Sequence, residues 1–193
     1  GQERLTVKMC ELSRGVVSQM DVLSAAKPYL DRLAMRTGEA IHLVIRDGAD
    51  VLYLYKAEAG GMRMGSRIGL RSPMYCTGVG KAILATLSPD EVEAVWKASR
   101  HKALTPHTIT GYPQLLHQLE QVKQRGWAVD DEENELGVRC VAFALPGVRG
   151  RADAAFSISS LAPNMTQERI EKLAQTALLA RQEILRDMGS VPG

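Results

Sequence analysis

Asp130-Asp131-Glu132-Glu133-Asn134-Glu135 places five acids in six positions of an otherwise charge-balanced chain, directly between two segments that read as strands. Such a run is by default a solvated turn, yet its place at a strand end would also let Asp130 point inward while the other acids face water. Cys140 falls in the middle of the following strand, where a cysteine is a small buried hydrophobe or, as a thiolate, a nucleophile. Ser157 and Ser159, two apart in a further predicted strand, project from one face. Two hydroxyls in an apolar sheet need partners, either neighbouring backbone or a ligand. Gly78-Val79-Gly80 opens a helix-forming run at 81–87, so free backbone N–H groups there could receive a carboxylate or phosphate. The alternative is a glycine turn that only starts a helix.

Other chemistries lack their residues. Gly80-Lys81 is not a phosphate loop, because Tyr75 stands where that motif needs its first glycine and Ala82 where it needs Ser or Thr. The third glycine of a dinucleotide fingerprint is missing too, and no strand-helix-strand unit surrounds the site. There is no Gly-x-Ser-x-Gly elbow and no Cys-x-x-Cys, and His42, His101, His107 and His117 have no spacing that places two ligands on one helix face. Neither a metal nor a cofactor is expected, and no catalytic residue is assigned. An enzyme would have to use Cys140 as a thiolate with Asp130 as proton carrier, but a neighbouring carboxylate raises a thiol pKa.

The elements that must hold these residues follow from periodicity. Residues 5–16 and a second segment from Gln19, with Leu23, Ala26, Leu30 and Leu33 on one face, read as a helix pair closed by Gly38, with Pro28 at a kink or near a start. Residues 41–46 and 51–56 read as a hairpin around Asp47-Gly48-Ala49-Asp50, and 62–70 as a further strand. Ser88-Pro89-Asp90-Glu91 is a capping box that starts the next helix, and Leu115, Leu116, Leu119 and Val122 mark another that Gly126 closes. Strands are predicted at 128–130, 138–145 and 154–159, and a long amphipathic helix at 165–188 with Asn164 as its cap. Hairpins separated by helix pairs predict an α+β sandwich, an antiparallel sheet with helices on its faces.

The 193 residues carry 24 Lys+Arg against 22 Asp+Glu, a net charge of +2, with 45% hydrophobic and 24% charged positions. This suits one globular domain with a sizeable core. It does not suit an isolated DNA-binding module, whose basic residues would form a stripe. No apolar run is long enough for a membrane span, so no membrane partner is expected. Cys10, Cys76 and Cys140 are odd in number and widely spaced, which fits a reducing cytoplasm.

Read in order, Thr37-Gly38-Glu39-Ala40-Ile41-His42-Leu43, the stretch from Ser66-Arg67-Ile68-Gly69 to Tyr75, Thr77-Gly78-Val79-Gly80-Lys81, the acidic run through Leu136-Gly137-Val138-Arg139-Cys140-Val141-Ala142, and Ala155-Phe156-Ser157-Ile158-Ser159 resemble the effector-binding domain of the IclR family of bacterial transcriptional regulators. The resemblance implies a GAF-like or profilin-like fold, a homodimer or dimer of dimers, and a small carboxylate effector of the sugar-acid or keto-acid type. It implies an effector site of Gly78, Val79, Gly80, Asp130, Val138, Cys140, Ser157 and Ser159. The anion would dock on the N–H groups of Val79 and Gly80, and ionised Asp130 would accept from hydroxyls. Gly60-Gly61 and Ser72, where relatives place apolar wall, suggest a wider or more polar pocket. The resemblance also implies that 1–18 end a linker helix from a winged helix-turn-helix domain outside this chain, that 19–188 form the effector-binding domain and 189–193 a tail. DNA would then be contacted only through that other domain. A ligand-free assembly module is the remaining alternative.

Overall fold

The computed structural model describes residues 2–58, 67–147 and 149–189, with side chains from Met20 onward. The apolar periodicity of the first segment produces one helix, α1 (Gln2–Thr37), where two were expected. Pro28 lies inside it. Pro28 and Ser24, whose carbonyl loses its helix partner, are both exposed, so solvent can take that bond. Gly38 ends α1 at φ +72, a conformation that favours glycine, with its N–H on the Ala34 carbonyl at 2.8 Å.

The expected hairpin forms as β1 (Ala40–Asp47) and β2 (Asp50–Ala57). The next strand differs from expectation. Of the run 62–70, residues 62–66 lie outside the described residues, and 67–70 form a turn bonded to Tyr53, with Tyr53 N–H on the Leu70 carbonyl at 3.0 Å. The strand comes later, as β3 (Arg71–Pro73), and Pro73 ends it because it cannot donate to a ladder. A 3₁₀ turn (Met74–Cys76) leads into α2 (Gly78–Leu84), then α3 (Pro89–Ala98) with the capping box on Ser88, and α4 (Tyr112–Arg125) closed by Gly126. β4 (Ala128–Asp131), β5 (Val138–Pro146) and β6 (Ala152–Leu161) follow. The last helix, α5 (Gln167–Asp187), is capped by Thr166 rather than Asn164. Asn164 is spent in a second 3₁₀ turn, and the Thr166 hydroxyl accepts from Arg169 N–H at 3.3 Å.

All six strands form one sheet of order β3-β2-β1-β6-β5-β4 with antiparallel neighbours throughout. The α+β reading therefore holds, with helices on both faces. On one face α1 and α5 bury Leu30, Leu33, Leu173 and Ile184 against Ile41, Leu43, Phe143 and Phe156. On the other, α2, α3 and α4 bury Val79, Ile83, Val92 and Leu115 against Val44, Val51, Ala142 and Ala155. Cover on both faces explains why β6 is buried along most of its length. Among the described residues, no helix is long and apolar enough to cross a membrane.

Candidate functional site

The candidate site lies where the second face of the sheet changes character. Along each strand the residues facing α2 are apolar at one end: Val51 on β2, Val44 on β1, Ala155 on β6, Ala142 and Ala144 on β5, Ala128 on β4. Two residues further along the same face stand Tyr53, His42, Ser157, Cys140 and Asp130, with Ser159 beyond Ser157. Cross-strand pairing lines them up, since His42 faces Ser157, Ser159 faces Cys140, and Cys140 faces Asp130. The start of α2 roofs this polar patch. It can come so close because Gly78 has no side chain; a Cβ there would sit 3.2 Å from Ala142 Cβ and 3.4 Å from Asp130 N.

The cavity, open at a rim, has a volume of about 40 Å³, space for about three waters. It is lined by His42, Tyr53, Thr77, Gly78, Val79, Asp130, Asn134, Glu135, Val138, Cys140, Ser157 and Ser159. His42, Asp130, Ser157 and Ser159 are buried, whereas Asn134 and Val138 are half-buried and Glu135 is exposed at the rim. Ser157 and Ser159 hydroxyls lie 3.4 Å apart, and Ser159 Oγ is 3.3 Å from His42 Nδ1. The His42 and Tyr53 rings meet edge to face at 5.6 Å.

Seven of the eight sequence-predicted residues thus surround one cavity, and Gly80 does not. The Gly80 N–H expected to hold an anion instead donates to its own helix cap, Thr77 Oγ1, at 3.2 Å, because a threonine before a helix takes one of the first free donors. Ser72 does not widen the cavity either; it is buried behind it and hydrogen-bonds Tyr53. Gly60 and Gly61 lie outside the described residues.

The acidic run is not a solvated turn. Asp130 Oδ1 accepts from the N–H groups of Glu133 (2.8 Å) and Asn134 (3.3 Å), Asp131 pairs with Arg139 at 2.6 Å, and Glu132 accepts from Gly137 N–H at 2.8 Å. The expectation that Asp130 alone turns inward is corrected at Glu133, which is equally buried, at 5% exposure each. Its carboxylate is paired with Lys81, the lysine after the glycine turn, which is fully buried. That pairing accounts for the Gly-Lys sequence without any phosphate. Thr105 and Thr108 hydroxyls fasten the turn from outside by donating to the Glu132 and Glu133 carbonyls, both at 2.6 Å.

Burial sets the charge states. It pushes Asp130 up to about 7 against the opposing pull of Lys81, and lowers His42 to about 4, with Lys56 adding to the effect. The Cys140 thiol and the Tyr53 phenol are pushed well above their ordinary values by burial, and Asp130 raises the thiol further. Cys140 is therefore held as a thiol, the opposite of an activated nucleophile. Among the described residues no group of three His, Cys, Asp or Glu could hold a metal ion.

Five lining residues were not anticipated: His42, Tyr53, Thr77, Asn134 and Glu135. The alternation of β1 places His42 on the Val44 face, a signal present in the sequence. Tyr53 had none. Leu43 pairs with Tyr55 but Val44 pairs with Tyr53, so Leu54 is an extra residue, a β-bulge. Without it Tyr53 and Tyr55 would share a face. With it Tyr53 enters the cavity, while Tyr55 packs toward α1 and hydrogen-bonds Asp31.

The family described as bacterial transcriptional regulator IclR C-terminal matches residues 14–186, and the chain belongs to that family. It is 33% identical over 193 residues to the DNA-binding transcriptional repressor YiaJ of Escherichia coli (strain K12), covering 98% of this chain and 68% of that protein. It is 34% identical over 186 residues to the HTH-type transcriptional regulator KdgR of the same organism, covering 96% and 71%. The crystal structure of the Thermotoga maritima IclR superposes with a TM-score of 0.85 at 35% identity, covering 94% of this chain and 74% of that one.

Proposed function

We propose that this IclR-family domain senses a small carboxylate, a keto acid or sugar acid, in the cavity beneath α2, and that occupancy controls DNA binding by a domain outside this chain. The observation that carries the reading is the conversion of one sheet face from apolar to polar across five adjacent strands. His42, Asp130, Ser157 and Ser159 are buried around a shared space with Tyr53 and Cys140 half-buried beside them, a convergent polar lining that suits a polar occupant. A sensing role without catalysis agrees with a Cys140 held as a thiol and with relatives that are transcriptional regulators. As a regulator the parent protein would act in the cytoplasm. The domain should self-associate, as a dimer or dimer of dimers, so that paired DNA-binding domains can match a two-fold operator. Sedimentation showing only monomer at tens of micromolar would remove that part of the reading.

The direct test is a thermal-shift series with pyruvate, glyoxylate and gluconate. An effector at about 100 times its Kd stabilises by about 2.7 kcal/mol, a rise of roughly 5–10 °C for a chain this long. The double variant Ser157→Ala, Ser159→Ala should lose the rise while keeping its ligand-free melting temperature within a few degrees. A flat response to every acid would defeat the proposal.

A further inference from the structure

Asp130 Oδ1 is taken by two backbone N–H groups, while among the described residues no group hydrogen-bonds Oδ2, and Asp130 forms part of the cavity wall. Charged and titratable groups surround it from every packed element: Lys81 on α2, Glu133 on the β4–β5 turn, Cys140 on β5, Cys76 on the 3₁₀ turn and Tyr53 on β2, with His42 of β1 and Glu135 of the rim lining the same cavity. Only Lys81 among these carries a positive charge at neutral pH, and it is paired with Glu133. The two thiols and the phenol are all pushed upward by burial, and His42 is neutral. One ammonium thus faces two buried carboxylates. No Lys or Arg among the described residues lines the cavity. An anion entering it meets Asp130 with no cation between them, and two carboxylates within hydrogen-bond reach share one proton instead of both ionising.

We infer that Asp130 receives an anionic effector as a carboxylic acid, its Oδ2 donating the proton to an effector oxygen, so that effector and one proton from solvent are bound together. The inference rests on the cavity being the effector site. It reverses the expectation of an ionised Asp130 that accepts from hydroxyls. The free carboxyl already titrates at about 7, and an anion alongside moves it upward, completing protonation near neutral pH. Affinity should then be constant at low pH and fall about tenfold for each pH unit above the free carboxyl's midpoint. An ionised acceptor would give the opposite slope, with binding weakening as pH falls and a proton released.

Calorimetry with pyruvate and with gluconate tests this, run from about pH 6 to about pH 9 across the midpoint in two buffers of different ionisation enthalpy. The expected result is net proton uptake and the alkaline loss of affinity. Asp130→Asn, which keeps a neutral donor near Oδ2, should bind without pH dependence. Saturable binding with no proton uptake, or with release, would overturn the inference and leave the effector site standing. If neither acid binds at any pH, the effector reading itself fails and the inference with it.

Discussion

Gly80→Ala is expected to cost about 3 kcal/mol or more, the upper range for overpacking, lowering the melting temperature by roughly 6–12 °C. Alanine at a helical position ordinarily stabilises relative to glycine by about 1 kcal/mol, so the sign is the test. A Cβ on Gly80 would lie 2.3 Å from both Cα and the carbonyl oxygen of Met74, and 2.6 Å from Thr77 Oγ1. Two of those three atoms are backbone and cannot swing aside. Thr77 is also pinned, since its hydroxyl accepts from Gly80 N–H and donates to the Pro73 carbonyl at 2.9 Å. The start of α2 must therefore lift off the 3₁₀ turn, and Gly78 and Val79 lift with it from the roof of the cavity. Gly78→Ala is the control. Its nearest contacts are the Ala142 methyl group at 3.2 Å and the Asp130 backbone nitrogen at 3.4 Å, so it should cost much less than Gly80→Ala. Urea denaturation of the two variants should separate them clearly, and a Gly80→Ala protein as stable as wild type would contradict the close approach of α2 to Met74.

Glycine before Lys81 was legible as a helix opening, but not as a point of contact with Met74, because the contact is made by tertiary packing and not by chain spacing. The same distinction runs through the fold. The segments 41–46, 51–56 and 138–145 were placed within a residue or two of β1, β2 and β5, because alternation and β-branched composition are local properties. β3 was misplaced upstream because three residues pairing with the start of β2 leave almost no periodic trace. α1 appeared as two segments divided between residue 16 and Gln19, but it is one helix, and Pro28, expected at a kink or near a start, lies inside it with Ala26, Leu30, Leu33 and Ala34 burying a continuous stripe around it.

Within the site, the residues carried by the family resemblance sit together with the exception of Gly80, while Tyr53, contributed by strand pairing, was hidden. Tyr53 depends on a bulge of one residue, which no composition announces. The acidic run shows the limit most plainly. Five acids in six positions resemble a solvated face, and only the fold reveals that Asp131, Glu132 and Glu133 each have a separate partner. Glu132 even adopts a left-handed φ of +59 to let the turn close.

The Lys81–Glu133 pair carries the second large effect, and it links the stability of the domain to the protonation of its cavity. Lys81→Met should destabilise by about 3–5 kcal/mol, the usual consequence of leaving one member of a buried pair without the other. Glu133 is already strained electrostatically in the wild type: burial raises its pKa, and its Oε2 is buried with no hydrogen-bond partner. Without Lys81 the pKa rises further, so the folded state binds more protons than the unfolded one, and stability must fall as pH rises. The loss should therefore be smaller near pH 5 than near pH 8, measured by denaturation at each pH. Lys81→Met combined with Glu133→Leu removes both charges, and because apolar pairs of similar volume often replace buried ion pairs at no net cost, the double variant should recover most of the stability and lose the part of the pH dependence that Glu133 contributes. Lys81 also pulls the Asp130 pKa down. The double variant removes that pull and the opposing push of Glu133 together, so Asp130 should still titrate in the cavity. Proton-linked binding of pyruvate should survive in the double variant, which separates the structural role of the pair from the proton held on Asp130. Equal stability of Lys81→Met and wild type across the pH range would show that the two charges are solvated, contrary to a Lys81 side chain with no exposure at all.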